Sequence, residues 1–420
     1  MTSDHLRPAA PPEPAGVEEA VVADLARLIA RMPDPAGGVH GAALERELAT
    51  YSGVRHAVAV SSGTAALHTA LRALHIGPGD DVLVPALSVI MSVAPVIHAG
   101  ARPVFVDCDP TSTDLDYDDL DRKVTPAAKA ILPVYLWGRP GDPYRLTHAA
   151  AEHGLAIVED ACQAQGSRAG GRLAGTTGDV GCFSLKDGKV LSSGEGGYLL
   201  TDRDDIAQHA RSFRSHQQPS PPGDDLPAEV GYNYRLAEPL ALIARANLAR
   251  FDRLAARRRH QACLLANLLT GTPGIDVTDV PARRGWNGYS FLATVTLDEP
   301  RAFCEHLARR GVPNSVGTFG LIPADQRPAL APFITAPCPH AAAVIDRTLA
   351  VILTDHDDEQ RITEYAQTIS REARRWKPRP ATAAGRRERP AQEPGRPAPA
   401  GHEVMPPASH RHLREGATDE

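Results

Sequence analysis

Between about Gly16 and Trp376 the chain alternates two hydrophobic rhythms. Short apolar, β-branched runs over 56–60, 81–84, 102–106, 130–135 and 155–158 read as buried strands. Turn signals such as Gly77-Pro78-Gly79-Asp80 punctuate them, and 64–74 and 144–153 carry apolar residues at helical spacing in between. Regular alternation of this kind predicts an α/β fold, a mostly parallel sheet with helices on both faces. An Ala-, Leu- and Arg-rich stretch from about 237 to 269 reads as a long helix bridging to a second region. There the rhythm becomes α+β, with a strand over 290–296 and a helix over 301–310. The expected organisation is a large domain over 16–250 and a small C-terminal domain over 251–376. The Pro/Ala-rich residues 1–15 are expected to be disordered. So is the tail 377–420, dense in Pro, Arg, Gly and Glu and too poor in large apolar residues to offset its ordering entropy.

Composition narrows the function classes. With 42% hydrophobic and 23% charged residues, the chain has the balance of a soluble globular protein. A net charge of −6 spread over 420 residues supplies no basic surface for nucleic acid or anionic lipid. The six cysteines never form a C-x-x-C pair, which argues for reduced thiols rather than zinc or a disulfide framework. No basic segment followed by an apolar run opens the chain, and no run approaches the roughly 18 apolar residues of a membrane span. A cytoplasmic location is expected.

Three stretches carry candidate chemistry. Ser61-Ser62-Gly63-Thr64 follows a strand and opens a helix, where unpaired amides and the helix dipole suit a phosphate; an ordinary helix N-cap reads the same way. Ile157-Val158-Glu159-Asp160 is a strand ending in acids, at the edge where open α/β sheets bind ligands. A carboxylate there can keep a pyridine nitrogen protonated; a solvated strand end is the alternative. The third stretch runs from Gly178 through Lys186 and Lys189 to the glycine-rich Gly194-Glu195-Gly196-Gly197. A lysine that condenses with an aldehyde must be deprotonated part of the time, which burial or a nearby cation favours. Either lysine fits that role on these grounds, as does a plain surface-loop reading.

Six ordered blocks, 62–67, 103–107, 159–164, 178–189, 194–197 and 231–235, together resemble the DegT/StrS-type sugar and aminocyclitol aminotransferases. The resemblance covers about 16–374 and implies fold type I, pyridoxal 5′-phosphate (PLP) as cofactor, and transfer of an amino group. It implies that Lys189, seven residues after Cys182 and five before Gly194, is the Schiff-base lysine. It maps Asp160 to the partner of the pyridine nitrogen and Gln163 to the ring oxygen. Gly63, Thr64 and Ser184 map to the phosphate cup. Asn233 maps to a residue reaching the phosphate of a neighbouring subunit, which implies a homodimer with composite sites. The family's usual amino donor is glutamate or glutamine; the acceptor is a keto sugar or keto-cyclitol.

Departures from the family pattern surround the cofactor and the acceptor pocket. Val89 stands where relatives carry an aromatic residue stacked on the ring, and the loop 313–324 lacks their Tyr-Pro pair. A PLP-dependent dehydratase is the alternative reaction, but dehydrating relatives replace the lysine by histidine. A non-catalytic PLP-binding regulator is the alternative role, which the intact Lys189, Asp160 and Gln163 oppose. Trp137, Trp286 and Tyr289 read as core or pocket wall. Arg214 and His216 are candidate ligands for the donor carboxylate. The Arg257-Arg258-Arg259-His260 run reads as a solvated helix face.

Overall fold

The computed structural model describes residues 19–31, 38–216, 230–277 and 285–377. The expected disordered ends lie outside the described residues, Lys377 excepted. In chain order the strands are β1 (His56–Val60), β2 (Asp81–Pro85), β3 (Arg102–Val106), β4 (Ala128–Ile131) and β5 (Ala156–Asp160). A short pair, β6 (Arg168–Ala169) and β7 (Arg172–Leu173), precedes β8 (Val180–Ser184) and β9 (Gly197–Thr201). Seven of these form one sheet in the order β1-β9-β8-β5-β4-β2-β3, with β9 antiparallel to both neighbours and the remaining pairings parallel. Helices cover both faces, so β2, β8 and β9 are buried along their whole length. That is why they read as continuous apolar runs rather than as alternation. A three-stranded antiparallel sheet follows, of β10 (Ile275–Asp276), β11 (Ser290–Val295) and β12 (Thr348–Ile352). Among the described residues no helix is long and apolar enough to cross a membrane.

Three expectations need correction. The strand expected over 130–135 ends at Ile131: Pro133 has no N–H to donate, and the chain turns through Leu136–Gly138. The long helix expected over 237–269 is two helices, Glu238–Ala249 and Phe251–Leu269, hinged at Arg250 with φ −115° and ψ 15°. The arginine run is not a solvated face. Arg258 is 1% exposed; its Nε lies 2.9 Å from Asp355 Oδ1, and its Nη1 donates to the Leu353 carbonyl. Arg257 donates to the Asp355 carbonyl at 3.0 Å, and His260 meets Glu359 at 3.0 Å. The run therefore seams Phe251–Leu269 to the segment after β12.

A buried guanidinium is tolerable only while its anion stays in place. Asp355→Ala is expected to lower unfolding stability by about 3 kcal/mol, read as a shift in the urea midpoint. An Asp355→Ala midpoint equal to that of the parent would contradict the seam.

Candidate active site

The C-terminal ends of β5 and β8, the segments following β2 and β4, and the start of the helix Gly63–Ala73 surround a cavity of about 200 Å³. It shares Val89, Met91, Gln163, Lys186 and Lys189 with an adjoining cavity of about 370 Å³. The inner cavity brings together Gly63, Thr64, Val89, Asp160, Gln163, Ser184 and Lys189, seven of the eight residues singled out from sequence.

At the helix start, the Ser62 hydroxyl accepts from the Ala65 amide at 3.0 Å. The Gly63 and Thr64 amides, in the first turn, have no intrahelical acceptor. A Cβ on residue 63 would stand 2.8 Å from Cys162 Sγ and 2.9 Å from Ser184 Cβ. Glycine is what lets the helix start close against the ends of β5 and β8. Ser184 Oγ accepts from the Lys186 amide at 3.2 Å, so its own proton is free to be donated.

Successive side chains of a strand point to opposite faces, and the two acids ending β5 part accordingly. Glu159 turns away, fully buried, accepting from Tyr135 Oη and from the amides of Gly175, Thr177 and Gly178 at 2.7–2.8 Å. Burial nonetheless pushes its carboxyl up. Its task is to fasten the turn leading into β8. Asp160, 5% exposed, faces the cavity: Oδ2 accepts from Ser92 Oγ at 2.6 Å and Oδ1 from the Cys162 amide at 3.1 Å. Burial pushes the Cys162 thiol well above its ordinary value, with the Asp160 charge adding and the Lys189 charge opposing. Cys162 thus feels both charges at once.

Lys189 and Lys186 both line the two cavities, but their settings differ. Lys186 is exposed, whereas Lys189 is half-buried, with Nζ 3.5 Å from Tyr289 Oη and 4.9 Å from that ring's centroid. The loop carrying Lys189 is pinned by residues that sequence reasoning missed. Buried Gln165 donates from Nε2 to the carbonyls of Ser184 (2.8 Å) and Leu191 (2.9 Å) and accepts from the Leu191 amide (3.1 Å). Arg258 Nη2 reaches the Gly188 carbonyl at 3.4 Å.

Gln163 Oε1 accepts from the Trp137 amide at 2.7 Å. Trp137 has a left-handed backbone (φ 59°), and its indole N–H donates to Ser315 Oγ at 2.8 Å. Buried Asn287 donates to the carbonyls of Gln163 (2.8 Å) and Gln165 (3.0 Å) and accepts from the Tyr289 amide (2.9 Å). Trp137 and Tyr289 are pocket wall, as expected; Trp286 instead sits under the Arg139 guanidinium, 4.1 Å from its ring centroid. Val89 lines both cavities at the start of the helix Ile90–His98.

Asn233 is exposed, lines neither cavity and bridges Ser215. Arg214 pairs with Glu45 and the Ala59 carbonyl in a separate depression, and exposed His216 lines neither cavity. Within this chain they do not join the site.

Gln165→Ala removes three buried hydrogen bonds and strands the Leu191 amide. A loss of about 2 kcal/mol is expected, with faster proteolysis within 185–196. Gly63→Ala is expected to destabilise by about 1–3 kcal/mol through overpacking at the cavity floor. Thermal unfolding of each variant checks both values.

The family model described as the DegT/DnrJ/EryC1/StrS aminotransferase family matches residues 34–369. The chain is 35% identical over 335 residues to UDP-N-acetyl-3-dehydro-α-D-glucosamine 3-aminotransferase of Acidithiobacillus ferrooxidans, spanning 80% of this chain and 89% of that one. It is 35% identical over 257 residues to L-glutamine:2-deoxy-scyllo-inosose aminotransferase of Streptomyces kanamyceticus, spanning 59% and 60% of the two chains. Among solved structures, S. venezuelae DesV in complex with a ketimine intermediate superposes with a TM-score of 0.74 at 31% identity, covering 86% of this chain and 96% of that one. The fold, the ordered cavity residues and the family match agree: the chain belongs to the DegT/DnrJ/EryC1/StrS aminotransferase family.

Proposed function

We propose that this protein is a PLP-dependent aminotransferase moving an amino group from glutamate or glutamine to a keto sugar or keto-cyclitol. The observation that carries this reading is a half-buried lysine, Lys189, and a buried carboxylate, Asp160, lining one cavity whose floor is an open helix start. The residues present fit the cofactor. Its phosphate needs several donors aimed at one point, and the Gly63 and Thr64 amides with the Thr64 and Ser184 hydroxyls provide them. The space a Cβ at 63 would fill is left clear.

Bound PLP supplies a carbonyl that exchanges amines and a ring that withdraws electrons. Lys189 Nζ would hold the cofactor covalently and, once free, would take the proton from the donor's α-carbon and later return one. Asp160, fixed by Ser92 and the Cys162 amide, would keep the ring nitrogen protonated. Gln163, its oxygen engaged by the Trp137 amide, keeps its N–H donors for the ring oxygen it would meet. Val89, which lines both cavities, would offer the ring an aliphatic surface instead of an aromatic one. Trp137, Leu321 and Ile352 give the outer cavity an apolar side.

The relatives' names support a carbohydrate or cyclitol acceptor, since they span an amino-sugar nucleotide and an inosose. The reading includes a cytoplasmic homodimer in which Asn233, exposed and outside its own cavity, completes the site of a second copy. It includes a division at about residue 250 between a large cofactor-binding domain and a small C-terminal one.

Borohydride reduction of the PLP-loaded protein, followed by peptide mass spectrometry, is expected to place the cofactor on Lys189. Lys189→Ala should lose the visible absorbance band and all amino transfer. Label on Lys186, or a Lys189→Ala variant that still cycles with glutamate, would refute the assignment. Asn233→Ala should weaken PLP retention about tenfold while leaving the sedimentation mass unchanged.

A further inference from the structure

The outer cavity contains a cation that the reading above leaves without work. Arg327 lines it together with Lys189, Tyr289 and Gln163. Its Nε is buried and has no hydrogen-bond partner, and no ion pair holds its guanidinium among the described residues. A buried N–H left unpaired is costly, and an anion brought against this half-exposed guanidinium from the cavity would offset part of that cost.

The backbone beneath it is fixed. Arg327 follows the turn Ala324–Gln326, whose Ala324 amide donates to the Ala86 carbonyl at 2.8 Å, one residue beyond β2. The Arg327 amide closes the turn on the Ala324 carbonyl at 3.1 Å. One residue earlier than Gln326, Asp325 Oδ2 accepts from the Cys338 amide at 3.0 Å, which ties the turn from the other side. The guanidinium is therefore carried on a rigid support.

Charge in the outer cavity is one-sided. Lys186, Lys189 and Arg327 face it against a single carboxylate, Asp187. Lys189 is committed to the cofactor and Lys186 is exposed to solvent. Arg327 is left, and its planar fork matches a carboxylate through two parallel N–H···O bonds.

We infer that Arg327 binds the carboxylate of the amino donor and of the keto acid it becomes, and so sets donor selectivity. This rests on the aminotransferase reading, in which every donor carries a carboxylate beside the amine that must reach the cofactor next to Lys189. A phosphate-bearing acceptor would present a different anion to the same guanidinium, and the experiment separates the two.

The PLP-loaded protein, its Arg327→Gln variant and its Arg327→Lys variant are titrated with 2-oxoglutarate and with inorganic pyrophosphate by calorimetry, and glutamate is varied in steady state. Arg327→Gln is expected to weaken 2-oxoglutarate binding and raise the KM for glutamate about 10- to 100-fold. PLP absorbance should stay unchanged, pyrophosphate should be unaffected, and Arg327→Lys should fall in between. Unchanged 2-oxoglutarate affinity in Arg327→Gln overturns the inference, whether or not pyrophosphate binding is lost. A parent protein that fails to load PLP on Lys189 overturns the aminotransferase reading instead, so the two failures are distinguishable.

Discussion

The site is organised around one buried charge. Asp160 ends β5 in the middle of the seven-stranded sheet, and a carboxylate withdrawn from water there must be compensated. Ser92 and the Cys162 amide satisfy part of its hydrogen-bonding capacity, and what remains faces the cavity. Each of these constraints has a structural consequence. Ser92 must be brought over by the helix after β2, the helix after β1 must start close by, and Gly63 must lack a side chain. The parallel order of β2, β4, β5 and β8 delivers those chain segments to the same edge of the sheet.

What could be read from sequence was whatever is local. Buried strands announce themselves by apolar runs, and their positions at β1 and β3 coincide with the expected ones. A small-residue helix start is equally local. Two ambiguities were not removable by spacing alone. Glu159 and Asp160 are adjacent acids, and which one faces the ligand edge depends on the phase of the pleat, set by β5's pairing with β4 and β8. Lys186 and Lys189 both line the cavity, and their difference lies in burial and in the ring of Tyr289, a hundred residues away in the chain. The family resemblance chose Asp160 and Lys189; the geometry gives physical reasons for favouring both.

What sequence reasoning missed is non-local and polar. Gln165, Asn287 and Arg258 are unremarkable letters in their own segments, yet each is buried and bonded across more than twenty residues. The arginine run shows the mechanism of error most directly. Four basic residues in succession resemble a solvated face by composition, but a helix turns each to a different side. Arg258 points inward to Asp355 and Gly188, and only the placement of the segment after β12 makes that visible. Gln165 and Arg258 hold the lysine loop and Asn287 holds the 163–165 segment beside it, so their composition carries no signal.

The two cavities differ in which parts of the chain build them, and that difference bears on how substrates are told apart. The inner wall comes almost entirely from the ends of the seven-stranded sheet and the helix starts beside it, a rigid frame suited to a cofactor that does not change. The outer wall adds Tyr289, Ser315, Phe319, Leu321, Arg327 and Ile352, all from beyond residue 285. Trp137, in the outer wall, is bonded to Gln163, which lines both cavities. Its left-handed backbone costs about 1–3 kcal/mol, and it is held there by Gln163 through its amide and by Ser315 through its indole. A strained residue persists only where its neighbours over-determine it. Here those neighbours are Gln163, which lines both cavities, and Ser315, which lines the outer one. A substitution in the outer wall that loosens Ser315 therefore also relaxes the support of Gln163, so through Trp137 the outer wall and the side chain shared by both cavities are mechanically coupled.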